Sequence, residues 1–194
     1  MACRILLALT ALLMSVFPTL SAEEVGIKTN IVSDAFLNVN LGAEVRLDNR
    51  WSIDLTGEYN GWSLSGGKRW KHWMVQPEIR YSLKGCEGGS FLAAHLLGGQ
   101  YNYGYFNHGP KIFNIDFSGL KNHRDEGWYG GIGVAYGYGW ILDRHWNIEA
   151  VLGLGWVYMH YKRYECADCN RRTDSGNHNY IGPTKVAVNL IYSF

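Results

Sequence analysis

Nine ionisable side chains fall on the alternate, non-apolar positions of strand-like segments: Lys28, Glu44, Arg46, Asp54, Glu58, Glu78, Arg80, Glu149 and Lys185. Four are basic and five acidic, so the set is close to neutral. Charges confined to one face of a sheet and taken out of water must pair with one another to be tolerated. The chemistry expected of them is a structural ion-pair network, with a catalytic or transport role for some members as the alternative. A second constellation is Cys166-Ala-Asp-Cys169, with His178 nine residues on. A Cys-x-x-Cys is half of a familiar zinc site, but one half-site with one distant His is weak. Cysteines outside the cell tend to pair, so a local Cys166–Cys169 disulfide is expected first, with free thiols and a metal behind it. The seven histidines have no serine at a useful spacing, and no Gly-x-Ser-x-Gly is present. No catalytic residue, metal or cofactor is assigned, and the chain is not expected to be an enzyme.

The elements that must hold these residues are strands. The clearest is at the C-terminus, where Thr184, Val186, Val188, Leu190, Tyr192 and Phe194 share one face, and Lys185, Ala187, Asn189, Ile191 and Ser193 the other. Seven more candidates precede it, at about 25–33, 39–47, 51–60, 73–83, 90–101, 127–141 and from 146. In the one at 127–141, Trp128, Ile132, Val134, Tyr136, Tyr138 and Trp140 oppose Gly131, Gly133, Ala135, Gly137 and Gly139. The strand at 90–101 is apolar or small throughout, so its facing is ambiguous. Pro77 inside the fourth strand predicts a bulge or a distorted ladder.

Short turns and longer loops alternate. The loops at 61–72, 102–126 and 161–179 are long, and the turns at 48–50, 84–89 and 143–145 are short. This is the plan of outer-membrane barrels. The apolar face must then point outward, because the aromatic and aliphatic side chains of all eight strands do not fit inside an eight-stranded lumen. Trp51, Trp140, Trp146, Tyr192 and Phe194 near one end, and Tyr59, Trp73, Trp128 and Tyr158 near the other, read as two aromatic girdles. The fold expected is all-β, an eight-stranded antiparallel up-and-down transmembrane β-barrel over 23–194.

Residues 1–22 read as a secretory signal peptide: Arg4, the apolar run Ile5–Leu13, and Ser21-Ala22 before the cut. Less Arg4, the chain carries 17 Lys+Arg (18 − 1) against 17 Asp+Glu, which gives no reason to expect nucleic acid as a partner. The three long loops hold ten of these cations and six of the carboxylates. Lys68, Arg69, Lys71, Lys162, Arg163, Arg171 and Arg172 are therefore candidate contacts for lipopolysaccharide phosphates.

Lys68-Arg-Trp-Lys-His-Trp-Met-Val-Gln-Pro-Glu-Ile-Arg-Tyr81, Gly119-Leu-Lys-Asn-His123, Gly127-Trp-Tyr-Gly130 and Gly182-Pro-Thr-Lys185 resemble a Bacteroidota family of unknown function, DUF3575. The resemblance spans essentially all of 23–194, with Cys86 as a departure. It implies an outer-membrane barrel and, through genomic company, an association with surface fimbriae; it transfers no activity. The expected role is a non-enzymatic outer-membrane protein whose surface loops serve envelope or fimbria-associated interaction. Its expected partners are outer-membrane lipid, lipopolysaccharide and fimbrial subunits. The alternative is an outer-membrane enzyme modifying lipid A or acyl chains, with His95, read as able to face lipid, and Glu149 as residues to change.

Overall fold

The computed structural model describes residues 25–63, 69–85, 88–104, 111–112, 115–116, 123–165 and 171–194. The signal-peptide segment, Lys68, Cys86, Cys166 and Cys169 lie outside the described residues, and with them the disulfide. The elements are β1 (Val25–Asn30), α1 (Ile31–Ala35), β2 (Val39–Arg46), β3 (Trp51–Ser63), β4 (Arg69–Ser82), β5 (Gly89–Gly104), β6 (Lys111–Ile112), β7 (Ile115–Asp116), β8 (Arg124–Ile141), β9 (Trp146–Tyr164) and β10 (Arg172–Ser193). Eight strands form one closed antiparallel ring in the order β1-β10-β9-β8-β5-β4-β3-β2, while β6 and β7 make a separate two-stranded hairpin.

The period-two pattern explains the ring. Along β4, His72, Gln76, Glu78 and Arg80 are buried while Trp73, Val75, Pro77 and Ile79 are exposed. Along β8, Gly133, Ala135 and Gly137 are buried and Ile132, Val134, Tyr136 and Tyr138 exposed. The core is thus inside out. Its wall carries Ile53, Leu55, Leu92, Leu96, Leu152, Leu154 and Val186 outward, each between 45% and 57% exposed. Aromatic side chains meet at the short-turn end, as in Trp51–Tyr81 (4.9 Å between rings), Tyr138–Trp140 (4.8 Å) and Trp146–Tyr192 (5.1 Å). Trp128–Tyr158 (5.6 Å) does the same at the long-loop end.

The structure corrects the sequence reading in several places. Residues 31–35 are helical, because the Asn30 side chain accepts from the Val32 N–H and ends the strand with an N-cap. The fifth strand has a definite facing: Phe91, Ala93, His95 and Leu97 point inward. His95 is therefore buried in the lumen rather than set toward lipid. Residues 172–179, read as loop, extend β10 and pair with 158–164 of β9. Pro77 keeps register with Leu55 on the β3 side; toward β5 the pairing lapses only between Val75–Gly98 and Glu78–His95. Register shifts fall instead on β10, between Arg172 and Asp174 and between Pro183 and Lys185.

Among the described residues a five-residue helix and the two-stranded β6–β7 hairpin are added to the eight-strand ring, and the transmembrane placement expected from the sequence is withdrawn. No described helix is long and apolar enough to cross a membrane, a statement about helices alone.

Candidate functional site: the charged lumen and the rim

Cross-strand register builds the lumen. Glu44, Asp54, Glu78 and His95 stand opposite one another on β2, β3, β4 and β5, and the row continues into Gly133 and Gly155. Three carboxylates side by side repel one another, so cations must be inserted among them. The neighbouring row supplies Arg80 from β4 and Lys185 from β10, and β1 supplies Lys28.

Arg80 is the hub. Its Nε donates to Glu78 Oε1 at 2.7 Å, and its two terminal nitrogens fork onto Glu149 at 2.9 and 3.1 Å. One of those nitrogens also reaches Glu44 at 2.9 Å. The Phe91 ring lies 4.8 Å from the guanidinium carbon, a cation–π contact. Lys28 pairs with Asp54 and lies 3.4 Å from Glu149. Lys185 donates to Glu78 at 2.8 Å. Asn189 donates to Glu149 at 2.6 Å, and Ser52 to Glu44 at 2.6 Å. Arg46 lines the same end of the lumen as Glu44 and Ser52, around a cavity of about 100 Å³.

Glu58 belongs to a different cluster. It accepts from Ser33 and Asn38, each at 2.8 Å, and contacts His72 Nε2 at 2.9 Å. Asn38 in turn accepts from Asn60 at 2.6 Å. Ser33 thereby ties helix α1 to β3, two strands from β1 in the ring. A cavity of about 190 Å³, lined by Ser33, Glu58, Gln76 and Lys185, lies between the two clusters. It shares no lining residue with the first cavity; the Lys28–Asp54 and Glu78–Lys185 pairs stand between them.

Sequence reasoning named His95 but set it toward lipid, and it missed the contacts of Thr184 and Asn189 and the Glu58–His72 cluster. His95 Nε2 meets Thr184 Oγ1 at 2.9 Å, and its Nδ1 is 3.8 Å from Glu78. The usable signal was the glycine row of β8. A Cβ on Gly133 would sit 2.5 Å from His95 Nε2, and one on Gly137 only 2.2 Å from the Phe91 ring. Glycine on one strand marks a large inward side chain on its neighbour.

At the rim the predicted cations do not share one environment. Arg163 forks onto Asp125 at 2.9 and 2.8 Å, which raises its pKa further above the usual arginine value. Arg171 lies 3.5 Å from Glu165. Arg69 and Lys71 are half-buried on β4, whereas Lys162 and Arg172 are exposed. The rim therefore mixes ion-paired cations with others that differ in exposure, rather than presenting a uniformly basic surface. Among the described residues no three His, Cys, Asp or Glu stand together as metal ligands.

A family model described as Protein of unknown function (DUF3575) matches residues 8–194. No curated protein and no solved structure matches. That description names no compartment, partner or activity. The bacterial outer membrane as a location, and the envelope or fimbria-associated role tied to it, are accordingly withdrawn.

Proposed function

Because the chain belongs to the DUF3575 family, described only as of unknown function, we propose a role from the geometry alone: a non-catalytic barrel, sealed by ion pairs and held by its apolar wall among the acyl chains of a lipid layer. The observation that carries this reading is the inversion of polarity. Lys28, Asp54, Glu78, Arg80, Glu149 and Lys185 are buried, while Trp51, Leu55, Leu96, Ile132, Val134 and Leu152 are each at least 41% exposed. An apolar surface that runs right round a molecule costs about 25 cal/mol for every Å² left in water. Acyl chains remove that cost without a protein partner. The lumen carboxylates of Asp54, Glu78 and Glu149 are held by Lys28, Arg80 and Lys185, which supports a structural rather than a catalytic use of them.

The test is flotation. Protein refolded from denaturant with phosphatidylcholine vesicles is expected to float with them on a density gradient. Its tryptophan emission should shift to the blue as Trp51, Trp73, Trp128, Trp140 and Trp146 enter the lipid. Protein that stays monodisperse at the bottom of the gradient without detergent, with water-exposed emission, would overturn the reading.

A further inference from the structure

The outer face of the wall changes character in steps toward the long-loop end. Leu96 and Ile132 sit opposite one another in the aliphatic band. Next come Gly98 and Gly130, a pair without side chains. Above them Trp73, Gln100, Trp128 and His160 form one cross-strand row over β4, β5, β8 and β9. Above that row, Lys71, Asn102, Glu126 and Lys162 form a second. The two tryptophans flank Gln100, whose carbonyl accepts from Trp73 Nε1 at 3.3 Å. A groove of about 570 Å³ lies at the level of these two rows, lined by both of them and by Tyr59, Asn60, Gly61, His72, Tyr101 and Gly127.

Each part of this groove fits one kind of occupant. Trp73 and Trp128 are 43% and 49% exposed and present faces on which sugar rings stack. Gln100, Asn102 and Glu126 offer donors and acceptors to hydroxyl groups. Glu126 is already engaged by Arg124 at 3.7 Å and by Asn102 at 3.5 Å, which limits its repulsion of an anion. Lys71 and Lys162 make no ion pair among the described residues and end the row on either side. They are three inter-strand steps apart, ~14 Å at the usual strand spacing. Two cations at that separation, with amides and aromatic rings between them, match a disaccharide carrying a phosphate at each end. The aliphatic wall directly below would take its acyl chains.

We propose that this groove binds the headgroup of an acylated disaccharide lipid phosphorylated at both ends, with Lys71 and Lys162 each on one phosphate. The proposal rests on the lipid-seated reading above. A monophosphate headgroup of ordinary phospholipids would engage only one lysine and leave the aromatic row unused.

The protein is reconstituted in phosphatidylcholine nanodiscs, doped with a diphosphorylated, a monophosphorylated or an unphosphorylated acyl disaccharide, or with phosphatidylglycerol. Retained lipid is then read by native mass spectrometry. One diphosphorylated lipid per barrel is expected. Loss of one phosphate should weaken retention about tenfold with the protein unchanged, and K71Q/K162Q should weaken it by a similar or larger factor. K84Q, on a short turn at the opposite end, should change nothing. Equal retention of the unphosphorylated lipid, or of phosphatidylglycerol, would overturn the proposal, as would undiminished binding by K71Q/K162Q. If the protein fails to enter phosphatidylcholine discs at all, the lipid-seated reading fails first, and the groove proposal falls with it.

Discussion

Arg80 decides whether the lumen is a plug or a liability. It touches Glu44, Glu78 and Glu149 within 2.9 Å, and all of these groups except Glu44 are almost fully withdrawn from solvent. Ion pairs so buried contribute little net stability when complete, since desolvation offsets attraction. Their removal one partner at a time is another matter. Arg80→Met should destabilise the barrel by about 3–5 kcal/mol, because up to three carboxylates lose their shared counter-charge. Arg80→Met combined with Glu149→Gln should recover part of that loss. Urea unfolding in lipid vesicles, run as a double-mutant cycle, checks it; strictly additive losses would mean that the pair is not coupled. Gly137 tests the same hub from behind. Gly137→Val places a side chain where the Phe91 ring lies, 2.2 Å from the position of the new Cβ. Phe91 must then leave the face of Arg80, at ~1–3 kcal/mol for the overpacking. Gly139→Ala, whose Cβ meets nothing nearer than 3.9 Å, is the tolerated control.

At the scale of elements, the strands with strict alternation were legible and the irregular ones were not. The facing of the C-terminal strand follows from its sequence, because Lys185, Asn189 and Ser193 recur at every fourth position and so fall on one face. Along β5 both faces are apolar or small, so period two carries no information until the glycines of β8 are placed opposite. Helix α1 is five residues long, too short for a periodic signal, and only the Asn30 cap betrays it. The ion-pair residues were legible as a set, but Glu58 separates from the others because Ser33 arrives with a helix the pattern did not predict. Thr184 was hidden for a related reason. It is the extra residue at the register shift after Pro183, where the missing N–H of proline weakens the ladder. The bulge turns Thr184 inward beside Lys185, within reach of His95. Thr184→Val keeps the shape and removes the hydroxyl, so a loss of ~1–3 kcal/mol in unfolding free energy, read as a lower urea midpoint, is expected; an unchanged midpoint would show that this contact carries no weight.

The turn between β2 and β3 is governed by Asp48. Its carboxylate accepts from the N–H groups of Arg50 and Trp51 at 2.6 and 2.8 Å, which holds its pKa below the ordinary value of 3.8. A carboxylate depressed on folding adds stability that is fully present above its unfolded pKa and is lost as pH falls through the folded value. The Trp51 amide should therefore exchange slowly with solvent from neutral pH down to about 4, relative to its intrinsic rate. Protection should drop as Asp48 takes its proton. In Asp48→Ala it should be low throughout. Protection that persists in the variant would mean that the turn is held by the strands alone.

For the molecule as a whole, the central question is whether the closed ring conducts. Eight strands enclose a lumen that side chains can fill. Here the filling is layered: the Arg80 cluster, the pairs Lys28–Asp54 and Glu78–Lys185, the 190 Å³ cavity, and then the Glu58 cluster under helix α1. The cavity has room for about six waters at the volume each occupies in the liquid, and it shares no lining residue with the smaller cavity on the other side. An ion entering the lumen would have to displace groups that already neutralise one another. The wild-type barrel in a planar bilayer should accordingly show no steady current above background. Arg80→Ala with Glu149→Ala removes the central cation and the carboxylate it forks upon, which should let water through and produce small, flickering openings. Steady channels in the wild type would mean that the network is the lining of a pore rather than its plug. Silence in both proteins, with the variant folded, would place the seal at helix α1 and the Glu58 cluster instead.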